Sequence, residues 1–453
     1  MHPNSGGTVR NGSDQQHSGS RSILASTIMA AGLALAITAQ SATVHAEGSS
    51  GGSAADITSS TLPNQPLVVK RATLMTASTN TGRDMVGGLS GLVALDSSGT
   101  SFVAITDRGP NRDTRVGGVK GTAFMVPSYA PSLVKLEANQ GELRVTERIP
   151  LRLSQGMDPV TGTAEVSGLP TSNRDEPAFD ATTAATLRTD PNGVDPEGIA
   201  VNPRDGTFWI AEEYGPSLLH VASDGTILTR LVPQGLDLQG TGYPVAQLLP
   251  SILLQRKENR GFEGLTISPD GSTLFAVMQS PLSLPDKKSG EASRHIRLLT
   301  IDLSDSPTVS GMYLYRAEPA SAVGAREQDD IKLGDLAAIN STRLLVTESD
   351  CGPTAGERNV YRLDLGSASN ILNRQFGRPL EAMGETDLMR ANVSPVEKQP
   401  VVNLAGLGFQ HSLVEGLAVL DESTIAVVND NNFDTNEPTE LVTIRLPEPL
   451  GAL

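Results

Sequence analysis

A hairpin-like segment recurs along this chain, and the repetition constrains the fold more than any other sequence feature. Each copy has a small or acidic residue, a short apolar strand, a turn, a second strand and a polar cluster. The copies are GLSGLVALDSSGTSFVAITDRGPN (88–111), DPEGIAVNPRDGTFWIAEEYGPSLL (195–219), FEGLTISPDGSTLFAVMQSPL (262–282), LGDLAAINSTRLLVTESDCGP (333–353) and VEGLAVLDESTIAVVNDNNFD (414–434). Such self-similarity indicates a repeat architecture.

The segments between the copies also alternate like strands, as in SLVKLEA, TILTRLV and HIRLLTIDL, and only 248–257 suggests a short helix. Four short strands per repeat are typical of a β-propeller blade, and inserted loops explain the wide spacing of the copies. We therefore predict an all-β fold, a β-propeller of five to six blades, in which 151–194 could hide the sixth. The strands LVVKRATLM and LVTIRL lack local partners, and we predict that these N- and C-terminal strands pair and close the ring.

Residues 1–46 have the pattern of a secretory signal peptide. Arg21 precedes the apolar run ILASTIMAAGLALAITA, and small residues end with VHA at Ala46. We predict cleavage there, export, and a periplasmic or secreted location, because the run is short for a membrane anchor. The Gly/Ser-rich segment 47–64 is predicted to be a flexible leader, and 65–450 a single propeller domain.

Composition narrows the classes of partner. The formal net charge of −16 at pH 7 argues against nucleic acid, since proteins that bind it neutralise phosphates with Lys and Arg. One cysteine, Cys351, excludes an intrachain disulfide. Between 65 and 450 the sequence has no G-x-S-x-G elbow, H-E-x-x-H pair or glycine-rich phosphate loop. We expect a monomer that does not bind membranes after signal cleavage and that acts on a small molecule.

Polar side chains stand at both ends of each repeated hairpin. In a propeller the first strand of each blade lies nearest the central channel, so the residues that lead these strands should converge around the axis. A hairpin returns its second strand beside the first, so the polar residues at its exit should lie on the same face. We expect these residues to form one ring of polar groups. Its members are the leading residues Glu197, Glu263 and Glu415 and the exit residues Asp107 with Arg108, Glu212 with Glu213 and Tyr214, Gln279, Glu348 with Asp350, and Asn429, Asp430, Asn431 and Asn432.

Several carboxylates held together raise one another's pKa unless a cation is bound. Oxygen ligands of this kind suit Ca²⁺ or Mg²⁺, and Ca²⁺ is favoured where carbonyl and amide oxygens join in. We predict a divalent cation held by Asp195, Glu197, Glu263 and Glu415. The alternative is that each Glu binds backbone N–H groups of the next blade, and that the glycine after it allows close strand packing.

A second group of candidate residues is cationic. Arg108 and Arg112 lie in TDRGPNRDTRVGGVK. Arg260 lies shortly before Glu263, and Arg294 lies directly before the strand HIRLLTIDL. Arginine binds phosphate or carboxylate through two parallel hydrogen bonds. We predict that Arg112, Arg260 and Arg294, with Gln279, bind a small anionic ester. The alternative is a solvated loop whose charges are compensated by nearby carboxylates.

The segments DPEGIA with EEYGPS, NRGFEGLTISPDG with MQSPL, and EGLAVL with NDNNF resemble the phytase-like domain family, whose members are called "esterase-like activity of phytase" proteins. The resemblance extends over roughly 85–445 in the same order. It implies a β-propeller, an exported bacterial protein, and hydrolysis of phosphoric or other esters. By that resemblance, the family's recurring positions are Glu197, Glu213, Glu263, Gln279, Glu415 and Asp430.

These observations together predict an exported, metal-dependent ester hydrolase that acts on phosphoric esters through metal-activated water. The predicted catalytic residues are Asp107, Arg108, Glu213 and Asp430, with Glu213 or Asp430 as the group that deprotonates water. The alternatives are a sugar-lactone hydrolase and a propeller that binds a ligand or protein without catalysis.

Overall fold

The computed structural model describes residues 65–74, 82, 85–172, 175–352, 356–411, 413–434 and 436–451. The predicted signal peptide (1–46) and leader (47–64) lie outside them. Strands dominate the described chain, which confirms the predicted all-β class. The helices are short: α1 Lys287–Ala292, α2 Ala320–Val323 and α3 Glu385–Arg390, with a 3₁₀ helix at Ser251–Gln255 inside the stretch predicted as helical. Among the described residues, no helix is long and apolar enough to cross a membrane.

The two ends of the chain meet in one sheet. Strand β1 (Leu67–Leu74) runs antiparallel to β24 (Thr439–Arg445), in a register from Leu67 opposite Arg445 to Leu74 opposite Thr439. Strands β23 (Thr424–Val428) and β22 (Gly416–Asp421) follow β24 in this sheet. The predicted pairing of the terminal strands is therefore observed.

Four further groups of antiparallel strands follow in chain order. The first contains β2 (Leu89–Ala94), β3 (Ser101–Thr106), β6 (Ser132–Asn139) and β7 (Glu142–Pro150), and it belongs to the same eight-stranded sheet because β7 pairs in parallel with β1. The second contains β9 (Pro196–Val201), β10 (Phe208–Glu212), β11 (Ser217–Val221) and β12 (Ile227–Pro233), with β13 (Val245–Leu249) added in parallel. The third contains β14 (Phe262–Ile267), β15 (Thr273–Met278), β16 (His295–Asp302) and β17 (Thr308–Arg316). The fourth contains β18 (Ile331–Ala338), β19 (Arg343–Asp350), β20 (Arg358–Asp364) and β21 (Glu397–Asn403).

The long first interval between repeats is filled by an insertion. Strands β4 (Asn111–Val116) and β5 (Val119–Phe124) form a hairpin that β8 (Ala178–Asp180) joins in parallel. Among the described residues of 151–194, β8 is the one named strand, so this segment adds to the hairpin rather than forming a four-stranded sheet of its own.

The five repeated hairpins each begin one of the strand groups described above, and their first strands contact one another in cyclic order. Strand β2 contacts β9, β9 contacts β14, β14 contacts β18, β18 contacts β22, and β22 contacts β2. Apolar side chains fill the space between neighbouring sheets, as where Trp209, Phe275 and Tyr361 share one core cluster. This packing brings the polar ends of all five hairpins together.

Glycines allow the inner strands to approach backbone to backbone. A Cβ atom at Gly198 would lie 2.4 Å from the carbonyl oxygen of Glu263, and one at Gly264 would lie 2.5 Å from that of Gly334. The close strand packing suggested by the Glu-Gly pairs is therefore confirmed.

Asp335 occupies the place of the repeated glycine in the fourth copy, and it is 1% exposed. Its carboxylate accepts backbone N–H groups from four strands, those of Leu92 (3.1 Å), Leu265 (3.4 Å), Leu336 (2.8 Å) and Leu417 (2.9 Å). Burial raises the pKa of this carboxyl to about 8, whereas the four backbone donors favour its ionised form. A single side chain thus binds the first strands of four repeated hairpins, in the space left by glycines elsewhere.

We expect Gly198→Ala to destabilise the fold by about 2 kcal/mol or more, because the added methyl group meets a backbone carbonyl that cannot rotate away. Gly377→Ala is the matched control, since no atom lies within 4 Å of its added Cβ atom. Urea unfolding of both variants measures the difference. Equal unfolding free energies for the two variants would contradict the packing argument.

Candidate functional site

A polar cavity of about 180 Å³ opens where the ends of the repeated hairpins meet. In each of three hairpins, one backbone hydrogen bond holds the polar residue at the end of the second strand next to the start of the first strand. The N–H groups of Asp107, Glu213 and Gln279 donate to the carbonyls of Gly88 (2.7 Å), Asp195 (3.0 Å) and Gly261 (3.0 Å). The predicted residues that line the cavity are Asp107, Arg108, Glu197, Glu213, Arg260, Glu263, Gln279, Glu415 and Asp430.

Five of the acidic residues form two overlapping triads. Ligand oxygens of Asp107, Asp195 and Glu197 lie within 4.8 Å of one another, and so do those of Glu197, Glu263 and Glu415. The four residues predicted as metal ligands all belong to these triads. Asp107, which was predicted as catalytic, completes the first.

Several polar atoms in this cluster are buried and have no hydrogen-bond partner. They include Asp195 Oδ1, Glu213 Oε1, Glu263 Oε2 and Gln279 Oε1. An oxygen left without a partner in this way costs about 1–3 kcal/mol, and more when it is charged. The donor set therefore fits a hard cation, which carboxylate and amide oxygens bind.

The carboxyl groups of the cavity have raised pKa values. Burial raises the pKa of Glu415 to about 8, and the neighbouring Glu263 and Asp107 add to the rise. Burial also raises the pKa of Glu197 well above its ordinary value, and Glu263 is its strongest acidic neighbour. The pKa of Asp430 is likewise well above its usual range through burial and the charge of Glu415. These carboxylates cannot all be ionised together unless positive charge is added.

The Arg108 guanidinium already binds side chains of the protein. Its Nη1 atom donates to Glu176 (2.7 Å), Asp195 (2.9 Å) and Asn259 (2.9 Å). Because the guanidinium occupies Asp195 Oδ2 and leaves Oδ1 free, it orients this carboxylate toward the first triad. Arg108 therefore lines the site, and its positive charge is compensated by Glu176 and Asp195.

Arg260 and Lys332 are the two other cationic side chains of the cavity lining. Neither forms an ion pair with a described residue, and Nη1 of Arg260 donates a hydrogen bond to the carbonyl of Asn259 at 2.5 Å. Arg260 also lines an adjoining cavity of about 400 Å³, together with Lys120 and Asn259.

Two predicted substrate-binding arginines lie elsewhere. Arg112 is exposed on β4 and does not line the central or the adjoining cavity. Arg294 donates through Nε to the carbonyl of Ala317 at 2.6 Å, and it lines neither cavity. The structure therefore does not bring them to the site.

Sequence reasoning missed Lys332 and gave Cys351 no place at the site, yet both line the cavity. Lys332 lies two residues before Gly334, where the fourth copy lacks the lead glutamate of its neighbours. The missing glutamate was the available signal that this repeat contributes differently. Burial raises the pKa of the Cys351 thiol to about 11, so the thiol stays protonated near neutral pH.

Several solved structures are similar to this chain at low identity. The PQQ-bound aldose sugar dehydrogenase of Streptomyces coelicolor is 10% identical, with a TM-score of 0.34, and the match covers 84% of this chain and 98% of that chain. The β-propeller domain of Myceliophteria thermophila Cps50 (Swd1) is 11% identical, with a TM-score of 0.28, and the match covers 81% and 98%. At TM-scores this low, neither protein bears on the chemistry of this chain.

An uncharacterized secreted protein of Arthroderma benhamiae is 29% identical over 168 residues, which cover 34% of this chain and 32% of that protein. The match thus spans about a third of that relative. The phytase-like family, described as "Esterase-like activity of phytase", matches residues 84–433, which is well over half of this chain and covers four repeats and all but the last residue of the fifth. The resemblance carried by the repeated segments is confirmed, and the chain belongs to the phytase-like family.

Proposed function

We propose that this chain is an exported, cation-dependent hydrolase of small anionic esters, with phosphoric esters as the principal class. The observation that carries the proposal is the pair of carboxylate triads, each with a buried member, beside Arg260 and Lys332, which form no ion pair with a described residue. The family description, which names esterase-like activity, supports ester hydrolysis. The acidic chain and the small cavity favour a small-molecule substrate over nucleic acid.

The same proposal includes the architecture around the site. We infer five blades, because five inner strands contact one another in a cycle, and ring closure through β1 and β24. Closure in this way leaves neither terminal strand as an open sheet edge, and we propose a monomer. Export is supported by the pattern of residues 1–46 and by the name of the secreted relative.

A divalent cation would be held within the two triads that Asp107, Asp195, Glu197, Glu263 and Glu415 form, and the all-oxygen ligand set favours Ca²⁺ over Mg²⁺. When bound, a divalent cation supplies the positive charge that offsets these carboxylates and polarises the ester. Arg260 and Lys332 bind the anionic oxygens of the substrate, and Gln279 orients it through its amide. Arg108 holds Asp195 in place.

Glu213 is the favoured proton acceptor for the attacking water. Its Oε1 atom is buried without a partner, and burial raises its pKa, although Arg260 and Arg108 oppose the rise. A base with a raised pKa remains able to hold a proton near neutral pH. Asp430 is the second candidate, but its Oδ1 atom already accepts the N–H group of Asn432 at 2.6 Å.

The test is hydrolysis of four chromogenic or titratable substrates: an aryl phosphate, a phosphodiester, an aryl acetate and a sugar lactone. We expect turnover of the phosphoric esters by the Ca²⁺-loaded protein, loss of turnover with EGTA, and recovery with Ca²⁺. Turnover of the lactone alone would identify a lactonase instead. Failure to hydrolyse any substrate, with a melting temperature indifferent to Ca²⁺, would contradict both the enzyme and its cation.

We expect Arg260→Met to raise KM for an anionic ester at least about tenfold, because a charge-assisted hydrogen bond contributes about 1.5–3 kcal/mol. Arg112→Met is the matched control, because Arg112 is exposed and lines neither cavity. Steady-state kinetics on both variants checks the assignment. Equal KM values for the two variants would remove Arg260 from the substrate-binding group.

A further inference from the structure

Five carboxylates of the central cavity form two groups rather than one. The oxygens of Asp107, Asp195 and Glu197 lie within 4.8 Å of one another, as do those of Glu197, Glu263 and Glu415. Within the described part of the chain, the five do not form a single group that close. Ca²⁺ binds oxygen at about 2.3–2.6 Å, so one ion can reach the three oxygens of a triad but not both triads fully.

Each triad also contains a buried oxygen that lacks a partner. The side chain of Asp195 is fully buried, and its Oδ1 atom has no hydrogen-bond partner although Oδ2 binds Arg108. Glu263 is 2% exposed, and its Oε2 atom likewise has no partner. Because such oxygens are costly to bury, the need for a ligand arises separately in the two triads.

The net charge of the cavity also indicates a need for more than one cation. Seven carboxylates meet here: Asp107, Asp195, Glu197, Glu213, Glu263, Glu415 and Asp430. Among the described lining residues three are cationic, Arg108, Arg260 and Lys332, and Arg108 is also paired with Glu176. At least four negative charges remain, which is the charge that two divalent ions offset.

We propose that the cavity holds two divalent cations that share Glu197, one bound by Asp107 and Asp195 and the other by Glu263 and Glu415. A carboxylate has two oxygens, so Glu197 can bind one ion through each of them. The inference rests on the proposed cation dependence and extends it from one ion to a two-ion centre. Glu197 then couples the two sites, because its loss removes a ligand from both.

Native mass spectrometry and calorimetric titration with Ca²⁺ test this directly on the purified, EGTA-treated chain. We expect two Ca²⁺ ions per wild-type chain, one in Asp195→Asn, one in Glu263→Gln, and at least tenfold weaker binding at both sites in Glu197→Gln. Asp107→Asn is a second probe of the first triad in case the loss of Asp195 leaves Arg108 unbalanced and the variant unfolds. Asp421→Asn, at an exposed turn, should retain both ions.

The outcomes separate the two proposals. A single ion in the wild type, lost in Glu263→Gln and also in Asp195→Asn or Asp107→Asn, would overturn the two-ion centre and leave one cation site. No bound ion would overturn the cation dependence itself. Two bound ions without turnover of any ester would support the two-ion centre and contradict the hydrolase.

Discussion

Glu213→Gln is expected to lower kcat by about 10²–10⁴-fold, the usual contribution of a general base. The substitution keeps the shape of the side chain but removes its ability to accept a proton from water at Oε1. Because the base must be ionised, and burial raises its pKa, wild-type activity should fall as pH decreases through that pKa. The variant should lose this acidic limb of the pH–rate profile, which steady-state kinetics across pH would show.

Two controls make the result specific. Glu422→Gln changes an exposed residue outside the cavity lining and should retain wild-type kcat. Calcium binding and melting temperature of Glu213→Gln should match the wild type, since Glu213 belongs to neither triad. If Asp430→Asn loses kcat and the acidic limb while Glu213→Gln keeps both, the base is Asp430.

Above pH 8, where its carboxyl group is ionised, Asp335→Asn is expected to destabilise the fold by about 3 kcal/mol or more, because hydrogen bonds to a charged acceptor contribute about 1.5–3 kcal/mol each. The carboxylate accepts four backbone N–H groups and donates none. An asparagine side chain has one oxygen and one NH₂ group, so its NH₂ group must face donors that it cannot satisfy. Denaturant unfolding measures the loss of free energy.

The control for this prediction is again Asp421→Asn, whose exposed carboxylate accepts the N–H group of Ser423 at 2.7 Å. We expect it to change the unfolding free energy by less than about 1 kcal/mol. Asp335→Asn should also weaken Ca²⁺ binding, because Leu265 and Leu417 each lie two residues after a proposed ligand, Glu263 and Glu415. A stable Asp335→Asn variant would show that the four-strand contact is dispensable.

The sequence could predict the repeat and the class of chemistry because both are local patterns. Apolar alternation around Asp-Gly and similar turns specifies hairpins, as for β14 and β15. The recurrence of Glu-Gly at the start of the inner strands predicted that Glu197, Glu263 and Glu415 would converge. The residues of such a hairpin are enough to predict it, without information about the neighbouring sheets.

The sequence was less informative about which arginine side chains lie at the site. Arg108, Arg112, Arg260 and Arg294 are the same residue type in similar polar segments, but only Arg108 and Arg260 line the cavity. Which of them points inward depends on the course of the β4–β5 insertion and on the loop before β14. No periodic pattern constrains these segments.

By itself, therefore, the sequence determined the strands, the five hairpins and the acidic residue at their ends, since neighbouring residues and their solvent preferences suffice for these features. The tertiary structure alone decided the division of the carboxylates into two triads, the role of Lys332, and the use of Asp335 as a common acceptor for four strands. These features depend on distances between strands that are far apart in the chain. Packing of whole sheets around one axis sets those distances.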